Sequence, residues 1–312
     1  MEPERSELVR IVHMYYEENQ TQRRIAEYLG CSRMAVSRYL RKALEAGIVR
    51  IEINYDGVFL DLEREMREKF DLQDVLIVPH ESGPPLKKRL AQAAAGFLLR
   101  RIRPGNVVGV GWGSTLALIP DFLAHTAAMD VVFVPLLGGY GQVSIRMHAN
   151  QIASRLGELF RCKSYILNAP ALVGNIALKG SLMNDPEIKS TLDVARGADI
   201  ALVGVGSPFA EESTLSDSGY YSSDDLEKLK AAKVECNLLS TIYIDKDGRE
   251  CGLDMADRNI GVTSEEYKRI PLKIAVAGGH GKLFAVCSVI KHGLVDVIVT
   301  DDMTAEFCLG MS

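Results

Sequence analysis

The sequence predicts an α/β protein in two parts, an N-terminal winged helix-turn-helix followed by a larger, mostly parallel α/β domain. Three observations carry this. Ala26, Gly30 and Val36 sit at the spacing of two short helices crossing over a tight turn. From Asp74 onward, short β-branched runs alternate with amphipathic helical ones. Several of those runs end in glycine-rich turns. The 312 residues, 47% apolar and 25% charged, have an ordinary globular composition with room for two domains or one large one. The boundaries expected are 1–56 for the first domain and 57–312 for the second, with 57–73 as a connecting helix.

In "SELVRIVHMYYEEN", Leu8, Ile11, Val12, Tyr15 and Tyr16 fall at helical spacing and predict a first helix with one apolar stripe. Thr21 suits the N-cap of a second helix, "QRRIAEYLG", which buries Ile25, Ala26 and Leu29 and stops at Gly30, the residue type best able to take a positive φ. Ser32 suits the N-cap of a third helix, "RMAVSRYLRKALEAG", burying Val36, Leu40 and Leu44. Two helices joined by so short a turn need a small residue where they touch, and Ala26 is placed to be it. "GIVRIEINY" then alternates Val49, Ile51 and Ile53 with polar residues, as a strand or wing does.

The third helix presents Arg33, Met34, Ser37, Arg38 and Arg41 opposite its apolar stripe. With Arg23 and Ser32, these are the candidate DNA-contacting residues. Residues 20–50 hold seven basic residues against two acidic ones, whereas 57–312 hold 27 against 32 and carry the whole net charge of −5. Clustered Lys and Arg on one small module are what phosphate contact needs. The plainer alternative is a solvated basic helical hairpin.

"FLDLEREMREKFDLQD" reads as the connecting helix. Strands are expected at 75–79, 106–111, 130–137, 163–170, 199–206, 240–245, 273–279 and 296–301. Near-continuous Val, Ile and Leu runs imply strands covered on both faces, hence a Rossmann-like parallel sheet whose ligands lie at the carboxyl ends of its strands. Four such ends stand out. "GVGWGST" follows a strand and opens the helix "TLALIPDFL", with Ser114 and Thr115 at its start. "LLGGYGQ" ends the next strand in Gly138 and Gly139. "VAGGHGK" adds Lys282 to Gly278 and Gly279. "TDDMTAE" places Asp301 and Asp302 after the last strand, where helix capping is the simpler role. Taken together, loops for an anion and carboxylates for hydroxyls suggest a small polyhydroxylated anion such as a sugar phosphate.

Other classes fit less well. The six cysteines form no CxxC pair and no metal-like spacing, so no disulfide framework, zinc site or other metal site is expected; they suit a reduced, cytoplasmic protein. There is neither a signal-like N-terminus nor an apolar run of about 18 residues, so no membrane partner is expected. "GVGWGS" is spaced Gly-x-Gly-x-Gly with no acid closing the following strand, against a dinucleotide site. No cofactor and no catalytic residue is expected.

The motifs "GVGWGSTL", "PLLGGYG", "ADIALVGVG", "AVAGGHGKLFA" and "VIVTDDMTAEFCL", following a winged helix-turn-helix, resemble the SorC/DeoR-type bacterial transcriptional regulators with a C-terminal sugar-binding domain. The resemblance runs over nearly the whole chain. It implies an effector domain similar to the glucosamine-phosphate deaminase and ribose-phosphate isomerase fold, and a dimer or tetramer. It further implies operator DNA as partner and a phosphorylated sugar or polyol as effector. By matching motifs, Gly111, Trp112, Gly113, Ser114 and Thr115 hold the phosphate end and Gly138 and Gly139 line the floor. Gly278, Gly279 and Lys282 supply amides and charge, and Asp302 faces hydroxyls. "NLLSTIYIDKDGRECG" departs from the family's pattern, so contacts from that strand are left open. The competing function is a sugar-phosphate isomerase or deaminase with an accessory N-terminal domain, though the sequence offers no clear His/acid pair beside the loops; His280 stands alone there.

Overall fold

The computed structural model describes residues 4–49, 58–81, 83–123, 127–140, 144–209, 221–251 and 253–311. The chain divides into two compact units, Met1–Asp56 and Gly57–Ser312. Most of the expected wing strand, from residue 50 to 55, lies outside the described residues.

In the first unit, α1 (Arg5–Val12) runs into a π-type turn at His13–Glu17 and is followed by α2 (Gln22–Leu29) and α3 (Arg33–Glu45). Ile11, Met14, Ile25, Ala26, Val36 and Leu40 form its core, each worth roughly 1–3 kcal/mol of burial for the larger side chains. Thr21 Oγ1 accepts from Arg24 N at 3.3 Å and Ser32 Oγ from Ala35 N at 3.1 Å, so both caps are made. Gly30 takes φ 65°, which lets Cys31 N donate back to Ala26 O and closes α2. Two inward positions differ from the expected stripe. The π-type turn adds backbone per revolution, so Met14 turns inward and Tyr16 outward. On α3 the inward series is Val36, Leu40 and Ala43, leaving Leu44 exposed.

The second unit opens with α4 (Leu60–Phe70), which packs on β1 (Asp74–Val78) through the fully buried Met66. α4 also caps an edge: Glu63 Oε1 accepts from Ile77 N at 2.9 Å, and burial pushes the Glu63 carboxyl up despite that bond. Then follow α5 (Pro84–Arg101), β2 (Val107–Val110), a 3-10 segment Leu116–Phe122, β3 (Val132–Pro135), α6 (Ala149–Phe160), β4 (Lys163–Ser164), α7 (Ile176–Met183), α8 (Pro186–Arg196) and β5 (Ile200–Gly204). The chain continues through α9 (Ser223–Ala231), β6 (Val234–Leu238), β7 (Ile242–Asp245), α10 (Asp254–Asp257), α11 (Ser264–Lys268), β8 (Leu272–Val276), α12 (Leu283–Lys291), β9 (Val297–Asp301) and α13 (Asp302–Gly310).

Seven strands form one parallel sheet in the order β1-β9-β8-β5-β2-β3-β4. Successive side chains serve opposite cores: Leu202 and Val276 pack with α5 and α6 on one face, Ala201, Val203 and Ala275 with α12 on the other. From β2 the chain moves outward through β3 and β4, and from β5 it moves the other way through β8 and β9. The β2/β5 boundary is therefore the switch point of the sheet.

Four expectations change. Residues 240–245 do not join the main sheet; β7 pairs antiparallel with β6, a strand the sequence reading did not propose. Of the run 163–170 only Lys163–Ser164 form a strand, with a single further bridge at Pro170, and "TLALIPDFL" forms a 3-10 segment with Pro120 inside it, since proline cannot donate to an α-helical ladder. Cys287 and Cys308 are joined as a disulfide, correcting the expectation of reduced thiols throughout. Their 21-residue separation carries no motif; α12 packing on α13 brings the two together. Among the described residues no helix is long and apolar enough to cross a membrane, and no His, Cys, Asp and Glu group is arranged to hold a metal.

Candidate functional site

In the first unit the candidate surface is the outer face of α3. Arg33, Met34, Ser37, Arg38 and Arg41 are all exposed, Met34 by 83%, while Val36, Leu40 and Ala43 hold the opposite face inside. Arg23 is also exposed, pairs with Glu27 at 3.1 Å, and shares with Arg33 a shallow concavity walled by Tyr15, Tyr16 and Gln22. Ser32, also exposed, caps α3 through Oγ as an acceptor, which leaves its O–H as a donor on the same surface.

In the second unit a cavity of about 490 Å³ opens at the carboxyl ends of β1, β2, β5 and β8, across the switch point. Trp112, Gly113, Ser114 and Thr115 come from the loop after β2, and Gly278, Gly279, His280 and Lys282 from the loop after β8. The sheet thus brings together two loops more than 160 residues apart, because β5 alone separates β2 from β8. Gly113 N donates to Met147 O at 3.0 Å, which fixes the first loop. The second is pinned by Asp301, whose Oδ2 accepts from Gly279 N at 2.7 Å. A Cβ on Gly278 would stand 2.1 Å from that same oxygen, so this close approach requires glycine.

Four expected residues are not on the cavity wall. Gly111 lies beneath it, donating to Leu202 O at 2.8 Å, with Leu239 packed against its Cα. Gly138 abuts the backbone of Ala169 and Pro170 and Gly139 lies beside His148, because β3 is one strand further from the switch point than β2. Asp302 Oδ1 accepts from His80 N at 2.6 Å and is spent on the loop after β1. The acid pair therefore braces two loops.

The wall also includes residues that the sequence reading passed over: His80, Lys87, Gly206, Asn237 and Leu239. His80 ends the β1 run in "VLIVPHESG", and applying the strand-end rule to that strand would have found it. Asn237 and Leu239 belong to β6 and its turn, an element no apolar run announced. His80 Nδ1 lies 3.1 Å from Asp301 Oδ1, and its ring centroid is 6.4 Å from that of His280. Trp112 stacks on Tyr140 with centroids 4.4 Å apart. Burial pushes the Cys236 thiol up, against the opposing pull of the Lys282 ammonium, so the Lys282 charge is felt at the base of β6.

The wall carries Lys87, Lys282, two imidazoles, hydroxyls and backbone amides, and no carboxylate among the described residues. Such a site favours an anion and offers hydrogen-bond donors to its oxygens.

Residues 58–310 match the sugar-binding domain family, Sugar-bind, and residues 9–46 match sigma-70, region 4. Over 307 residues the chain is 28% identical to the sorbitol operon regulator of Klebsiella pneumoniae, spanning 97% of each protein. It is 28% identical over 311 residues to the transcriptional regulator LsrR of Escherichia coli K12, spanning 98% of this chain and 95% of that one. Among solved structures, a DeoR family transcriptional regulator from Listeria monocytogenes is similar with a TM-score of 0.72 and 32% identity, over 80% of this chain and 98% of that one. Full-length SorC from Klebsiella pneumoniae is similar with a TM-score of 0.76 and 28% identity, over 97% and 98%.

Proposed function

Because the chain belongs to the SorC/DeoR-type transcriptional regulators with a sugar-binding domain, we propose that it is a cytoplasmic, homo-oligomeric regulator whose operator affinity is set by a phosphorylated sugar or polyol. The observation that carries the effector half is the convergence of the Ser114–Thr115 loop and the Lys282 loop on one cavity without a carboxylate. Hydroxyls and amides from one loop and an ammonium from the other suit a phosphate, and the remaining volume suits a sugar-sized body. The exposed Arg33, Arg38 and Arg41 face of α3 supports the DNA half.

Regulation follows from linkage. An effector shifts operator affinity only by as much as it binds one arrangement of the oligomer more tightly than another. No chemical step on the effector is required. Mobility shifts of the full chain on DNA from its own upstream region, with and without sugar phosphates, test the reading; absence of specific DNA binding under every ligand condition would sink it.

One observation favours a second reading, an isomerase or deaminase. The His80–Asp301 pair, 3.1 Å apart beside the cavity, is the His/acid arrangement that the sequence did not reveal. A base placed there suits proton abstraction next to a carbonyl. Turnover of sugar phosphates by the full chain, lost in His80→Ala, would establish it; no turnover by the unaltered chain removes it.

A further inference from the structure

Cys287 and Cys308 are joined across the seam between α12 and α13, and both are buried. A permanent disulfide is out of place in a protein that works in the cytoplasm, where the bonds that do form are mostly transient ones that use or report oxidation. The surroundings suit either state. Val286, Val289 and Ala305 belong to the same apolar cluster as the two cysteines, and a free thiol packs there as a small hydrophobe.

What the bond joins gives it a consequence. α12 runs on directly from the loop that brings Lys282 to the cavity. α13 starts at Asp302, whose Oδ1 accepts from His80 N, and is capped by Asp301, whose Oδ2 accepts from Gly279 N. The far end of α13 is gripped by the connecting helix: Lys69 Nζ of α4 donates to Leu309 O at 2.6 Å and to Met311 O at 3.1 Å, and the two helices pack together. The bond therefore lies in a chain of contacts that runs from the cavity loops through α12 and α13 to α4, and making or breaking it changes how tightly two members of that chain are coupled. Without it the seam is held by packing, including Phe284 and Phe307, whose rings meet edge to face with centroids 5.1 Å apart. Phe284 is 52% exposed and marks where the seam meets solvent.

We propose that Cys287 and Cys308 are a reversible dithiol–disulfide switch, closed by hydrogen peroxide and opened by a low-molecular-weight thiol, that sets how firmly the effector unit holds α4 and through it the operator affinity. On closing, one cysteine sulfur attacks a peroxide oxygen, the O–O bond breaks, and a sulfenic acid and a water result. The second sulfur then attacks the sulfenic sulfur; the S–S bond forms, the S–O bond breaks and a second water leaves. Two electrons pass from the thiols to the peroxide, and the two thiol protons end in the waters. On opening, two molecules of the small thiol return two electrons and two protons and leave as their own disulfide. Burial limits access, so the switch answers sustained oxidation and not a brief burst. The closed form holds α12 and α13 as one body, and α4, gripped by α13, opens less often in it. The proposal rests on the reading of the chain as a cytoplasmic regulator, while the thiol chemistry needs no effector.

The test uses the full chain, treated with hydrogen peroxide or with reduced glutathione. Mass spectrometry of the trapped and digested protein reads the pairing, and amide hydrogen exchange is followed over Leu60–Phe70 and Asp302–Gly310 in both states. The expected result is a Cys287–Cys308 linkage that forms in peroxide and is lost in glutathione while the chain stays folded, with exchange over α4 and α13 at least about fivefold slower in the oxidised form. Cys287→Ala and Cys308→Ala should each exchange at one rate, with or without peroxide. Operator affinity, by mobility shift on DNA from the upstream region, should differ by about threefold or more between the two forms of the unaltered chain and not in the variants. No linkage after peroxide overturns the proposal. A linkage that glutathione leaves intact in the folded chain also overturns it, by making the bond a fixed staple. Equal exchange over α4, or equal operator affinity, in the two forms does the same. If neither form binds DNA specifically, the regulator reading falls, and the exchange comparison alone then decides the switch.

Discussion

His80 Nδ1 stands 3.1 Å from Oδ1 of Asp301, a carboxylate with no exposed surface, and the same carboxylate accepts from Gly279 N and Thr304 Oγ1 through Oδ2. One acid thus ties the loop after β1 to the loop after β8 and caps α13. Replacing Asp301 with Ala removes the acceptor shared by His80, Gly279 and the buried Thr304, and we expect a loss of about 3 kcal/mol in urea unfolding of the second unit. Asp301→Asn should lose less. Unfolding midpoints indistinguishable from the unaltered chain would show that the loops are held by something else.

Lys282→Met keeps the aliphatic stem and removes the charge. We expect at least about a tenfold loss of affinity for sugar phosphates and for inorganic phosphate alike, because charge-assisted contacts contribute about 1.5–3 kcal/mol. Effector-free operator binding should be unaltered. Thermal shift against both probes checks the first part and a mobility shift the second; sugar-phosphate affinity held at its original level would place the anion away from Lys282.

Arg38→Ala with Arg41→Ala should weaken operator binding and reduce the slope of log affinity against log salt by about 2, roughly 0.9 for each phosphate contact given up. Effector binding by residues 57–312 should stay the same. An unchanged salt slope would mean that neither guanidinium meets a phosphate.

The Cys287–Cys308 bond closes a 21-residue segment between two helices that follow loops around the cavity. Its reduction should cost about 3 kcal/mol on the loop-closure account. Thiol titration of the denatured, unreduced chain should find the four others, Cys31, Cys162, Cys236 and Cys251. Six titrating thiols without reductant would show that the bond is not formed.

How far the sequence could be read depended on what kind of signal each element leaves. The caps Thr21, Ser32 and Gly30 were legible because local backbone geometry demands those residue types. The strands of the parallel sheet were legible because burial on both faces forces unbroken apolar runs such as "IALVG". By contrast, "VECNL" mixes acid, thiol and amide within five residues, and its pairing with β7 is decided by a turn at Leu239 and Ser240 with φ of 53° and 54°, values that local sequence does not announce. The site followed the same division. Ser114, Thr115, Gly278, Gly279 and Lys282 sit on loops that extend recognisable strands. Gly138 sits on an equally recognisable strand end, yet sheet order, which is non-local, puts it one strand away from the wall; Asp302 follows β9, between two strands that do reach the wall, and is kept off it by its bond to His80 N. Asn237 was missed for the reason its strand was.

The hairpin of β6 and β7 is a separate two-stranded sheet, joined near the cavity to the chain after β5 by the Gly206–Asn237 bridge. Its side chains nonetheless belong to the main core: Cys236, Leu238, Ile242 and Ile244 pack in the same apolar cluster as Ala201, Val203 and α12. A cavity wall built on a core hairpin makes the shape of the pocket and the stability of the domain one property, so a change that reshapes the pocket there is felt in folding as well.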